Sequence, residues 1–221
     1  VLGVMLVLEV TVLVIAAVAI LANGGPEAWN LAAPFNPAEI FAGGFAGTAG
    51  IALAFAFASF IGFEATAIYG EEAKDPKRTV PIATYVSICV ISILFALVSF
   101  AMVTGMGASQ VADKVIELSG GLADPAGVLF GLTEQYVGSW LTVAMGILVL
   151  TSLFAGLLAF QNAASRYFFA LGRGGVLPAA VAKVNNAGAP VNGVIITSAI
   201  AAVVMIVFAV TGLDPFLNLF S

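Results

Sequence analysis

The sequence predicts an all-α integral membrane protein, and three observations carry that reading. The 221 residues are 62% hydrophobic and only 9% charged, far from the balance of soluble domains. The apolar residues fall into five runs, each close to the roughly twenty residues a helix needs to cross a bilayer. The Lys and Arg residues, 7 in all, are concentrated in two connections between those runs.

The first span is expected at 1–21 and carries a single charge, Glu9. The second is expected at 45–69 and carries Glu64. Inside it, residues 52–60 alternate Ala with larger side chains, a period-two pattern that favours a strand. Helix is the better reading. A membrane strand alternates apolar with polar, whereas both faces are apolar here, and an open strand leaves backbone groups unpaired in lipid. The third span, 81–105, has no charge. The connection 106–138 then predicts two short helices, at 109–119 and 125–137. Ser109 is the expected cap of the first, Val111, Val115 and Leu118 share its face, and Gly120-Gly121 ends it. Asp124-Pro125 is the start signal of the second. The pair reads as a cover over an outer vestibule or as an ordinary solvated loop.

The fourth span is expected at 139–164, continuing amphipathically through Arg166 to Leu171. Its small residues Ala144, Thr151, Ala155, Ala159 and Ala163 share a face that lets another helix approach closely. The connection to the fifth span, 190–211, is turn-rich. Its Gly172–Gly175 stretch lacks the Gly-Lys-Ser/Thr ending and the preceding strand of a phosphate loop. With five spans, the connections alternate sides. Lys74, Lys77 and Arg78 then share a side with Arg166, Arg173 and Lys183, leaving Lys114 opposite. The positive-inside rule makes 70–80 and 165–189 cytoplasmic, and 22–44 and 106–138 extracytoplasmic. The chain opens inside an apolar run without an initiator Met and stops as a new one begins, as expected of a fragment.

The composition also excludes classes. There is no His, which removes His-based metal sites and His general bases. Cys89 has no charged neighbour in its span to activate it, so a membrane-embedded enzyme lacks its parts. No metal site or cofactor is expected. The scarce cations argue against a nucleic-acid partner; the expected partners are the lipid bilayer and a small molecule.

The stretch 60–81 holds the candidate site. Gly62 sits inside an apolar run, two residues before the carboxylate of Glu64. An intramembrane acid costs roughly 3 kcal/mol on insertion scales, so it is a functional candidate by default. A helix unwound at Gly62 exposes carbonyls suited to an ammonium before the break and N–H groups suited to an anion after it. The competing reading is a continuous helix in which Gly62 is a packing contact and Glu64 is bonded to a neighbouring helix. Protonation removes the cost of burying a carboxylate, which makes Glu64 a candidate proton-coupling or gating acid, or else a structural one. Glu9 is the second intramembrane acid and a candidate for the same role. The hydroxyls of Thr151 and Ser152 fall near mid-span; they coordinate a cation or bond back to their own helix.

Two segments carry a resemblance. Residues 60–85, FIGFEATAIYGEEAKDPKRTVPIATY, resemble the sixth-helix signature of amino acid permeases of the amino acid–polyamine–organocation (APC) superfamily. Residues 165–178, SRYFFALGRGGVLP, resemble the end of the same family's eighth helix. The resemblance implies part of a five-plus-five inverted-repeat transporter fold with a discontinuous helix at about 60–64. The five spans then correspond to helices five to nine, with helices one to four and most of ten lying outside the chain. It further implies that Ser59, Phe60 and Ile61 offer carbonyls to the substrate amine, within a substrate site expected at Ser59, Phe60, Ile61, Gly62 and Phe63. The glycine-rich first helix holds the substrate carboxylate. Glu64 matches a gating acid, and Thr151-Ser152 lies near the ion position of sodium-coupled relatives. Many proton-coupled members carry a basic residue on helix five; the first span here has Glu9 and no Lys. The implied function is secondary active transport of an amino acid or related amine by alternating access, proton-coupled or by exchange. The alternatives are an amine sensor that binds without transport and a polyamine or organocation transporter.

Overall fold

A computed structural model of the chain describes residues 2–27, 29, 36–41, 48–63, 73–121, 124, 126–185 and 188–213. Among them the regular structure is helical, with no strand. In chain order the helices are α1 (Leu2–Asn23), α2 (Pro37–Ile40), α3 (Thr48–Ala58), α4 (Pro76–Met106), α5 (Val111–Leu118), α6 (Gly127–Tyr136), α7 (Ser139–Arg173) and α8 (Val191–Thr211). A 3-10 turn, Ala179–Ala182, lies between α7 and α8.

Four of these, α1, α4, α7 and α8, are long and apolar enough to cross a membrane. Their large side chains point outward: Val7, Ile93, Leu150, Leu157 and Val210 are each more than 60% exposed. A water-soluble protein does not present so much contiguous apolar surface; lipid is the solvent that accepts it. The alternating segment 52–60 is helical as far as Ala58, so backbone satisfaction in lipid outweighs the period-two pattern.

The boundaries have local causes. The α4 helix starts at Pro76, five residues before the expected Pro81, because Asp75-Pro76 supplies a proline at the first helical position. Pro81 lies inside the helix, where it lacks the N–H that would bond the Lys77 carbonyl. The α7 helix runs 35 residues to Arg173, about 52 Å against a hydrocarbon core of about 30 Å, so part of it stands outside the bilayer.

The chain divides into two compact units, Val1–Leu153 and Phe154–Ser221. In the first, α1 packs along α4, and α5 and α6 fold over them. Ala17 and Ile20 of α1, Ala101 and Met106 of α4, and Val128 and Leu132 of α6 form one buried cluster. Ala16 joins Leu141 and Met145 of α7 in another. Tyr136 at the end of α6 donates its hydroxyl to the Gly105 carbonyl at 2.7 Å, tying the cap to the end of α4. Between membrane helices these contacts gain packing rather than hydrophobic free energy, because lipid is as apolar as the partner side chain.

The expected capping of α5 is corrected. The residue preceding the helix is Gln110, and no side chain caps it. The Ser109 hydroxyl instead donates to Glu27, and the Ser109 backbone N–H donates to the other Glu27 oxygen at 3.3 Å. A full carboxylate out-competes the short internal serine contact for that hydroxyl. Asp124 does accept from a backbone N–H, that of Ala126 at 3.1 Å, close to the start of α6; Pro125 lies outside the described residues.

In the second unit, α7 and α8 are joined by Gln161. Its side-chain amide reaches the Val194 carbonyl at 3.2 Å, the Thr197 hydroxyl at 2.7 Å and the Ser198 hydroxyl at 2.9 Å. A helix-to-helix polar contact of this kind stabilises a membrane bundle by about 0.6–2 kcal/mol.

Candidate functional site

The apolar segment that begins at Thr48 stops being a helix after eleven residues. The last α-helical bond runs from Ser59 N–H to the Phe55 carbonyl at 2.9 Å. The chain then tightens: Phe60 donates to Phe57, and Ile61 donates to Ala58, both at 3.1 Å and both three residues back. Phe63 donates weakly to Phe60 at 3.5 Å. Gly62 has φ +112°, a conformation that any side chain disfavours and that an α-helix does not contain. Here a glycine is required by the turn.

Two consequences follow for the backbone. Among the described residues, no N–H donates to the carbonyls of Ser59 or Ile61, so both oxygens are left for a partner outside them. The Ser59 hydroxyl is not available in the same way, since it donates to the Phe55 carbonyl at 2.8 Å. Phe60 is half-buried and meets Phe95 of α4 edge-on, with ring centroids 6.0 Å apart. That contact fixes the depth of the turn. Phe95 lies eleven residues before the end of α4 at Met106, about 16 Å along a helix that can span the bilayer. The turn is therefore level with the middle of α4.

No described contact joins the other sequence candidates to it. Glu64 lies outside the described residues, as do residues 45–47 and 64–69 of the expected second span. Glu9 sits in the second turn of α1 and is half-buried. The Thr151 hydroxyl donates to the Leu148 carbonyl at 2.8 Å, so it is bonded back to its own helix. Ser152 is half-buried beside it. Among the described residues, no hydrogen bond or ring contact brings Glu9, Thr151 or Ser152 to the turn at 59–63.

Sequence reasoning passed over two polar groups that do make long-range contacts. Gln161 is an amide at the end of the apolar run of the fourth span, and its partners Thr197 and Ser198 are the adjacent hydroxyl pair of the fifth span. An intramembrane amide facing a hydroxyl pair was the available signal. Glu27 is the other. Ser109 donates to it twice, through hydroxyl and backbone, and these bonds hold its carboxyl below the usual carboxylate range. Glu27 and Ser109 are 82 residues apart, and no local pattern connects them.

A family model described as amino acid permease matches residues 1–221. The branched-chain amino acid permease BcaP of Lactococcus lactis is 34% identical over 173 residues, which is 78% of this chain and 34% of that protein. Cationic amino acid transporter 7, chloroplastic, of Arabidopsis thaliana is 28% identical over 190 residues, 85% of this chain and 30% of that protein. An uncharacterized transporter of Legionella pneumophila is 28% identical over 148 residues, 67% and 30% respectively. The chain spans about a third of the length of these relatives. No solved structure matches it.

Proposed function

This chain belongs to the amino acid permease family, and we propose that the full-length protein is a secondary transporter of an amino acid or related amine. The observation that carries the proposal is the end of α3. A helix that stops at mid-membrane depth, beside Phe95, leaves the Ser59 and Ile61 carbonyls unpaired by the described residues. Such oxygens are tolerated within a bilayer only where they face protein or a polar cavity. An α-ammonium group is the ligand such oxygens suit. The similar proteins named for branched-chain and for cationic amino acids handle substrates that share that group and differ in side chain, which supports an amino acid without choosing between them.

On this proposal Ser59, Phe60, Ile61, Gly62 and Phe63 form the amine side of the site, and the substrate carboxylate is held by helices outside these residues. Glu64 follows the turn directly and is the proton-coupling or gating acid; Glu9, two turns into α1, is the second candidate. Thr151 and Ser152 form a possible ion site, weakened by the bond Thr151 makes to its own helix. Transport runs by alternating access, driven by protons or by exchange. The connections 70–80 and 165–189, which hold six of the 7 basic residues, face the cytoplasm.

The test is uptake of radiolabelled leucine and arginine by proteoliposomes of the full-length protein, with and without an inward proton gradient. Accumulation of either supports the proposal. Binding without accumulation identifies a sensor instead, and uptake of putrescine but of neither amino acid identifies an organocation carrier.

A further inference from the structure

The connection between α7 and α8 has a chemistry found nowhere else in the chain. Residues 154–213 contain Arg166, Arg173 and Lys183 and not one Asp or Glu, although the whole protein carries a net charge of −5. Two of these cations lie next in sequence to one backbone crossing. Gly172 is buried, and a Cβ added there would lie 2.9 Å from the Ala182 nitrogen and 3.3 Å from the Val181 carbonyl carbon. Arg173 and Lys183 each follow directly on a residue of that crossing. Both are exposed. The Arg173 guanidinium lies over the Phe169 ring, 5.5 Å from its centroid, which orients it along the surface of α7.

Against the same crossing is an open pocket of about 180 Å³, lined by Ala180, Val181, Asn192, Ile195 and Ile196. Four of those five residues are apolar. The fifth, Asn192, spends its amide on the Ala180 carbonyl at 2.7 Å, which seats the 3-10 turn on the first turn of α8. The place is therefore an apolar slot beside a crossing that Arg173 and Lys183 flank in sequence. It lies on the connection between two helices able to span the bilayer, and such a connection sits at a membrane surface.

We propose that this slot binds an anionic phospholipid, with an acyl chain along Ile195 and Ile196 and the phosphate at Arg173 and Lys183. A free phosphate matches the cations but leaves the apolar slot to water, and a zwitterionic lipid fills the slot but brings its own cation. Only an anionic lipid satisfies both halves. Each cation near a membrane surface attracts such a headgroup by about 1 kcal/mol. The proposal is independent of what the protein transports.

The full-length protein is purified in mild detergent, offered phosphatidylglycerol and phosphatidylcholine in equal amounts, and examined by native mass spectrometry. Phosphatidylglycerol is expected to be retained over phosphatidylcholine by on the order of tenfold. Lys183→Gln, an exposed change that leaves the fold intact, reduces the preference about fivefold, and adding R173Q abolishes it. Ile195→Trp fills the slot and weakens retention of both lipids. Melting temperature is followed in parallel, with inorganic phosphate and glycerol 3-phosphate as soluble probes. Equal retention of the two lipids overturns the proposal. So does a preference that survives both charge changes, or stabilisation by inorganic phosphate equal to that by phosphatidylglycerol.

Discussion

Helices α1 and α3 are both overwhelmingly apolar, and both end against α4. They end for different reasons. At the end of α1 the chain turns through Gly24 and Gly25, and Gly25, at φ +65°, is pressed against the Thr104 carbonyl and Gly105, at the last turn of α4. Trp29 then packs edge-on against Phe100 at 6.3 Å. At the end of α3 the chain turns at mid-depth, beside Phe95, through Gly62 at φ +112°. One end stands where a membrane helix has finished its crossing, and there the Gly24 N–H reaches back to the Ile20 and Leu21 carbonyls. The other stands where it has not, and two of its carbonyls have no donor among the described residues. Composition does not separate the two cases. Depth and partner do.

The largest effect is expected at the structural end. Gly25→Ala places a Cβ 1.9 Å from a backbone oxygen that has no room to withdraw, in a backbone conformation that disfavours any side chain. Together these cost on the order of 3–5 kcal/mol, enough to deplete folded protein. Detergent-solubilised yield and melting temperature measure it. A variant that melts within a degree of the parent would show that the α1 end is as adaptable as a loop, and the contrast with α3 would fail.

At the α3 end the expectation concerns function more than stability. Gly62→Ala strains the turn by about 1–3 kcal/mol, which the chain relieves by shifting the carbonyls on either side. Uptake by the full-length protein is expected to fall at least about tenfold, with a much smaller change in melting temperature than Gly25→Ala produces. Loss of fold at both glycines would erase the distinction between a packed end and a working one.

The helical class and the amino acid permease family were legible from the sequence, because apolar run length and a local motif need no knowledge of distant contacts. The motif around Gly62 marked the position of the turn well. It did not say that regular helix would stop four residues earlier, at Ala58, since the alternating Ala and Phe of 52–60 give no terminating signal of their own. Ser109 shows the opposite failure. A local rule made it a cap, and a carboxylate 82 residues away took its hydroxyl. Gln161 escaped notice for a similar reason: its partners lie on the next helix, and only the crossing of α7 with α8 brings them within reach.

Glu64 sharpens the functional half of the comparison. If the turn at 59–63 prepares a site and the acid beside it carries the proton, Glu64→Gln removes the titrating group while keeping its size. Uptake driven by a proton gradient is expected to drop several-fold and to lose its dependence on external pH, whereas exchange without a gradient persists. Glu9→Gln serves as the control on α1, the uninterrupted helix, and is expected to change the pH profile less. An unaltered profile in Glu64→Gln together with a flattened one in Glu9→Gln would move the coupling role to α1.

The smallest effect belongs to Glu27, just past the packed end of α1. Its bonds from Ser109 fasten the loop after α1 to the start of α5, and they hold the carboxyl below its ordinary range. A carboxyl lowered in the folded state contributes stability that is fully present above the ordinary carboxylate range and is lost as pH falls through the lowered value. Glu27→Gln is therefore expected to lower the melting temperature slightly at pH 7 and not at all at a pH below that value. The carboxyl is solvent-exposed, so salt screens part of the effect even at pH 7. Ser109→Ala removes the hydroxyl but keeps the backbone donor, and should fall between the parent and Glu27→Gln. A Glu27→Gln deficit that persists unchanged into acid would mean that the side chain acts there by shape alone. The end of α1 would then be held entirely by the contact of Gly25 with Thr104.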